Sequence, residues 1–209
     1  MGRNVVVNDS GENMKNNAVV TGIAKIVTEP TPSHYHNGVM YHKVQVEMER
    51  PGTQKIDVLR LYFNEMDRGP SDFALGSYIT FTGDLVKSKI TEALADIAVA
   101  LRQWKTHLAA PEKTYADLEL TGMLIKINEE STNNNVTSVS ILVQHTNHED
   151  NRRVIVKLTG IGKAVPIIKS LAVGDTVDIL AHVYSYKVKN RELTDCYLHD
   201  SRIVNIKKL

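Results

Sequence analysis

The chain has 209 residues, 42% hydrophobic and 23% charged, with Lys+Arg 25 against Asp+Glu 24 and a formal net charge of +1. That balance excludes a strongly basic nucleic-acid-binding body, leaves room for a local basic face, and suits one or two globular domains. The single cysteine, Cys196, excludes internal disulfides and a cysteine-based zinc site and fits a reducing, cytoplasmic location. No apolar run approaches the ~18 residues of a membrane span, and the N-terminus has no apolar signal core, so no membrane role is expected.

Residues 1–16 (MGRNVVVNDSGENMKN) are polar apart from Val5 to Val7 and read as a flexible N-terminal tail. From there the chain repeats itself. Val19 to Ile26, with Thr21-Gly22, resembles Leu118 to Ile127, with Thr121-Gly122. A glycine inside a strand marks a bulge or a sharp bend, as at the corner of a small barrel. Polar loops follow in both copies, Glu29 to Gly38 and Glu129 to Asn135.

The second strands alternate. Val44, Val46 and Met48 face inward while Tyr41, Lys43, Gln45 and Glu47 face out; in the second copy Val139, Ile141 and Val143 point in. The third strands, Lys55 to Phe63 and Arg152 to Thr159, align Leu59, Leu61 and Phe63 with Val154, Val156 and Leu158 as the inner set. Val58, Arg60 and Tyr62, and likewise Arg153, Ile155 and Lys157, form the outer set.

A long connection leads to strand four. Lys163 to Leu171 has helical spacing of Val165, Ile168 and Leu171, with Pro166 near its start, where proline is tolerated; Asn64 to Ala74, with Gly69-Pro70, is the less helical copy. Strand four opens after Val173-Gly174-Asp175 with Val177, Ile179 and Ala181, matched by Leu75-Gly76-Ser77 with Ile79, Phe81 and Gly83. The fifth segment, Leu94 to Trp104, is Ala/Leu-rich, but its copy Leu193 to Val204 favours a strand, here with a helical tail.

Five strands per copy, with a short helix between strands 3 and 4, describe an all-β protein of two tandem OB-folds, partly open five-stranded Greek-key barrels. An SH3-like barrel has the same strand content, but the long third connection favours the OB-fold. The expected domains are 17–107 and 117–209, joined by a linker at 108–116 that holds Pro111.

The order of these motifs resembles the bacterial and phage single-stranded-DNA-binding proteins and their relative, primosomal replication protein N. The carrying residues are Ala18 to Gly22, Asn37-Gly38, Val154 to Gly160, and Val173 to Val177. The resemblance implies a tandem-OB member that holds single-stranded DNA for replication, recombination or repair, and a dimer supplying four OB-folds. It also implies aromatic base platforms; the one tryptophan is Trp104. The chain ends Ile206-Lys207-Lys208-Leu209 rather than in the family's acidic tip, so a role in recruiting partners through such a tip is not expected. A protein-interaction module, such as a primosome or conjugation accessory factor, and an RNA-binding protein are the alternative readings.

An OB-fold places its ligand across strands two and three, between the loops joining strands one to two and four to five. Cations follow the phosphates and flat rings take the bases. On this basis the candidates in the first copy are Tyr41, Lys43, Arg60 and Tyr62, with Lys87 and Lys89 in its hairpin. In the second they are Arg153 and Lys157, and the hairpin residues Tyr184, Tyr186, Lys187, Lys189 and Arg191. Tyr184 and Tyr186 share a face, opposite Val183 if that residue is buried. His34-Tyr35-His36 is a loop that either binds ligand or is simply solvated.

No cofactor, metal or catalysis is expected. His34, His36, His42, His145 and His148 lack acidic or cysteine partners at a zinc spacing. Gly160-Ile161-Gly162-Lys163 lacks the upstream glycine and the Ser/Thr of a phosphate-binding loop. Cys196 reads as a barrel-wall residue.

Overall fold

The computed structural model describes residues 6–7, 13–14, 17–66, 70–89, 95–133, 135–147, 152–188 and 197–209. Within the expected tail, β1 (Val6–Val7) pairs with β2 (Asn13–Met14). The first repeat contains β3 (Ala18–Ile26), β4 (Thr31–His36), β5 (Val39–Glu49), β6 (Ile56–Asn64), β7 (Tyr78–Lys89) and β8 (Ala95–His107). The second begins with β9 (Tyr115–Ile127), β10 (Ser131–Asn133), β11 (Val136–Thr146), β12 (Arg153–Ile161) and α1 (Ala164–Lys169). It continues with β13 (Thr176–His182), β14 (Ser185–Lys187), β15 (Tyr197–His199) and β16 (Ser201–Lys208).

Both repeats close the same circuit. β3 pairs with β7, β7 with β8, β8 runs parallel to β6, β6 pairs with β5, and β5 returns to β3. In the second repeat β9, β13, β16, β12 and β11 close in the same order, with β12 and β16 parallel. This is the tandem OB architecture, and the alternating residues fill each barrel: Val44, Val46, Leu59 and Leu61 in one, Val139, Ile141, Val156 and Leu158 in the other, all nearly inaccessible to solvent. Val165, Ile168 and Leu171 plug the second barrel from α1 and its exit, as the helical spacing requires.

The barrels are joined through their first strands. β3 and β9 pair antiparallel from Ala18↔Leu120 to Ile23↔Tyr115, so each first strand serves two barrels in turn. β9 leaves β3 after Leu120 and reaches β11 from Met123, and the change of partner falls at Gly122. A Cβ there would lie 2.6 Å from the Gln144 carbonyl oxygen, and one at Gly22 would lie 2.5 Å from that of Tyr115. Both glycines therefore mark close crossings of strands at bends, as the paired Thr-Gly motifs predict.

Several expectations need correction. The expected loop 29–38 contains a strand, because Asn37 (φ 50°) and Gly38 (φ 78°) form a left-handed two-residue turn that folds β4 back on β5. The fifth strand of the first barrel has no helical tail: β8 pairs with β7 from Ala95 to His107, and this ladder overrides the helix propensity of its Ala/Leu run. The helix of the first repeat is only a 3₁₀ turn at Pro70–Asp72, where Ser71 and Asp72 favour turns over a helix interior, before Gly76 turns the chain (φ 84°). The second barrel's first strand starts at Tyr115, inside the stretch 108–116 read as linker. Val58, expected to face outward, is buried.

Candidate nucleic-acid interface

On the first barrel, alternation along β5 and β6 turns the expected residues to one face. The register pairs Lys43 with Tyr62 and Gln45 with Arg60, while Tyr41 stands opposite Asn64. β4, which lies within the expected loop 29–38, adds to this face. The His34 ring stacks on Tyr41 with centroids 5.2 Å apart and planes 10° from parallel, and Tyr62 meets His34 edge-on at 5.6 Å. His36 meets Tyr41 edge-on at 6.3 Å. Desolvation, with the charge of His36 as a second cause, holds the His34 imidazole below its usual pKa and so favours the neutral ring.

Beside the rings runs an open groove of about 340 Å³, lined by Thr28, Glu29, Thr31, Lys43, Gln45 and Arg60. Lys43 and Arg60 bring two cations to it and Glu29 one carboxylate. Tyr35 projects from β4 with 70% of its surface exposed. The site thus offers flat π-faces next to cations, the combination that holds bases and phosphates of an extended strand.

The equivalent face of the second barrel is different. Arg153 is exposed, but Lys157 forms an ion pair with Asp200 at 3.0 Å, and the Thr159 hydroxyl donates to the same carboxylate at 2.7 Å. β11 and β12 contain no Tyr, Trp or Phe, and the surface between the cations is aliphatic, with Ile155 exposed.

The hairpin that follows β13 does not stand free beside its own barrel. Val183 is buried, and Tyr184 is half-buried with the Arg50 guanidinium 4.3 Å and that of Arg202 5.2 Å from its ring centroid. Ser185 docks on the first barrel: its N–H donates to Asp57 Oδ1 at 2.6 Å, and its hydroxyl accepts the Val58 N–H at 2.8 Å. Arg50 joins Asp57 in a two-pronged ion pair and donates to the Ser185 carbonyl at 2.9 Å. This bonding to Asp57 holds the Arg50 guanidinium in its charged form. The buried His199 ring faces Asp96 Oδ2 through Nδ1 at 2.8 Å and the Val58 carbonyl through Nε2 at 2.9 Å. These contacts cover Val58. Asp57, whose charge is expected to dilute the outward basic face, is instead buried against Arg50, seven residues away. Ser185, which both bind, and the Asp96–His199 pair are joined only across more than 100 residues, so no local pattern marks them.

Tyr186 and Lys187 are exposed, as is Lys87 on β7. Lys89 ends β7, and its side chain lies outside the described residues, as do Lys189, Arg191, Cys196 and His148. Trp104 is not a surface base platform: its ring packs on Phe73 at 5.8 Å and Phe63 at 6.5 Å, against the core. Among the described residues no group of three His, Cys, Asp or Glu side chains is placed to hold a metal. His42 stacks on Phe63, and His145 meets the Thr121 carbonyl at 2.9 Å. Among the described residues no helix is long and apolar enough to cross a membrane.

No protein-family model and no curated protein sequence matches the chain. Solved structures do. The wild-type single-stranded DNA binding protein from Thermus aquaticus matches with a TM-score of 0.70 and 12% identity, over 92% of this chain and 93% of that one. A deletion mutant of the same protein matches with a TM-score of 0.71 and 14% identity, over 92% and 94%. The N-terminal domain of the PriB protein from Thermoanaerobacter tencongensis covers 47% of this chain at 19% identity, with a TM-score of 0.36. At such identities the likeness is one of three-dimensional form, and it spans both barrels: the chain has the tandem OB-fold of the Thermus single-stranded DNA binding protein.

Proposed function

We propose that this protein binds single-stranded DNA with little sequence preference and performs no chemistry on it. The observation that carries this reading is the cluster of His34, Tyr41 and Tyr62 rings beside Lys43 and Arg60 on the ligand face of the first barrel. Stacking is tolerant of base identity because every base has a π-face, and the cations follow the backbone. The near-neutral total charge implies an affinity resting on this local site and falling with salt. Holding the strand extended would keep it from re-pairing and present it to replication or recombination proteins. Lys87, Lys89, Arg153, Lys157, Tyr184, Tyr186, Lys187, Lys189 and Arg191 belong to the same proposal as secondary contacts, and a dimer of the chain would offer four OB-folds.

Fluorescence anisotropy with a labelled single-stranded oligonucleotide, at low and high salt, tests the proposal. Saturable binding that weakens with salt and is outcompeted by unlabelled single strands of unrelated sequence supports it. Absence of binding at low salt, or stronger binding to duplex, removes it.

A further inference from the structure

The second barrel's hairpin is attached to the first barrel, and the side it turns towards that barrel carries a ring and a cation. β14 and β15 pair Ser185 with His199, Tyr186 with Leu198, and Lys187 with Tyr197. Directly opposed residues share a face of a strand pair, and residues two apart along a strand share it too. Ser185 and His199 are the two residues rooted in the first barrel through Asp57, Val58 and Asp96. Lys187 and Tyr197 extend that same side by one step. Tyr186 and Leu198 lie on the other.

Tyr197 thereby comes to the ligand face of the first barrel. It lines a narrow cleft with Gln45, Val58, Arg60, Ile97 and His199. Gln45 and Arg60 also line the larger groove that begins at Thr28 and Lys43. The two depressions therefore share Gln45 and Arg60 as a common wall. Along the β5–β6 register Tyr62 and Tyr41, edged and stacked by His34, lie on the Lys43 side of that wall, and Tyr197 lies on the Val58 side. Tyr197 is only half-buried, so part of its ring remains accessible.

We infer that the first barrel's single-strand site is composite: the second barrel supplies Tyr197, paired with Lys187, as its far end. A single strand crossing the Tyr41–Tyr62 platform and the Arg60 cation would stack a further base on Tyr197. The inference rests on the proposed single-strand binding and deepens it. It also gives the inter-barrel docking a role in binding, since Ser185 and His199 fix the angle at which Tyr197 is presented. The second barrel is then a part of the first barrel's site rather than an equal, independent one, which fits its ring-free face.

The test is anisotropy titration of the full chain with fluorescein-labelled oligothymidylate, comparing wild type with Tyr62→Ala, Tyr197→Ala, Tyr197→Leu and Tyr197→Phe. Loss of a stacked base should weaken binding by about 5-fold or more for Tyr197→Ala. Tyr197→Leu keeps bulk without a flat ring and should show a similar loss at an unchanged thermal midpoint. Tyr197→Phe should bind within about twofold of wild type, since its π-face is retained. Arg60→Ala and Tyr197→Ala should couple, the double variant losing less than the product of the single losses, because the two line one cleft. If Tyr62→Ala weakens binding while Tyr197→Ala and Tyr197→Leu leave it unchanged, or if the Arg60 and Tyr197 losses are independent, the composite site is wrong and single-strand binding stands. If wild type does not bind, both fall.

Discussion

The contact between the barrels turns on one buried carboxylate, and removing it should be costly. The Asp57 side chain is 3% exposed and the Arg50 side chain 16%. Asp57 accepts from Arg50 Nε at 3.0 Å, from Arg50 Nη2, and from the Ser185 N–H at 2.6 Å. Asp57→Ala leaves a largely buried guanidinium without its counter-charge, a change that typically costs about 3–5 kcal/mol. It also orphans the Ser185 N–H, and an unsatisfied buried donor costs about 1–3 kcal/mol. Two contacts temper the loss, because Arg50 keeps the Ser185 carbonyl and its place over the Tyr184 ring. A net destabilisation of about 3–5 kcal/mol is expected, which in a chain of this size lowers the thermal midpoint by roughly 6–20 °C. Calorimetry or urea unfolding followed by circular dichroism measures it. The double variant Arg50→Met/Asp57→Ala should recover part of the loss, since the stranded charge is gone. A single-variant cost below about 1 kcal/mol, or a double variant worse than additive, would refute the view that this ion pair anchors the hairpin.

Tyr41→Ala and Tyr62→Ala should each weaken single-strand binding by about 5- to 150-fold while leaving the fold intact, as read by anisotropy beside a thermal melt; unchanged affinity in both would take the platform out of the site. Gly122→Ala forces a methyl against the Gln144 carbonyl at 2.6 Å and the Val143 side chain at 2.8 Å, so urea unfolding should show a loss of about 1–3 kcal/mol. Equal stability would mean that β9 does not cross β11 so closely. Burial and His36 favour neutral His34 in the folded chain, so the unfolded chain takes up this proton more readily. Stability from this residue is complete above its unfolded value near 6.5 and is lost as pH falls below that through the lower folded value. Between about pH 7.5 and 5.5 the melting point of wild type should therefore fall further than that of His34→Gln, and identical slopes would contradict the assignment.

Much of the fold was legible because period-2 burial is a local property. Val44, Val46 and Met48, and again Val154, Val156 and Leu158, announce their buried face without reference to any partner. Repetition extended this to the ambiguous fifth strand, where the copy corrected the helix propensity of residues 94–104. What stayed hidden depended on partners distant in the chain. Every residue of β4 is exposed, so no alternation marks it; its signal was Asn37-Gly38, a turn that demands a strand on both sides. The pairing of β3 with β9 left no trace in the local pattern, since β3 is no longer than the other walls of its barrel. On the proposed site, the shared face of Tyr41, Lys43, Arg60 and Tyr62 follows from strand phase, whereas the His34 ring reaches Tyr41 only through the hairpin fold, which phase does not reveal. Rings and cations mark Tyr184 to Arg191 locally, but the placement of Ser185 and His199 depends on Asp57, Val58 and Asp96, more than 100 residues earlier. For the same reason nothing local distinguished Tyr197.

The most direct test of single-strand binding across the first barrel is photo-crosslinking of the full chain to a halogenated oligothymidylate, followed by mass spectrometry of the crosslinked peptides. The account predicts crosslinks at Tyr41 and Tyr62, with Tyr197 as the contact supplied by the second barrel. Crosslinks confined to β11 and β12 of the second barrel, or none at a saturating concentration of strand, would contradict it.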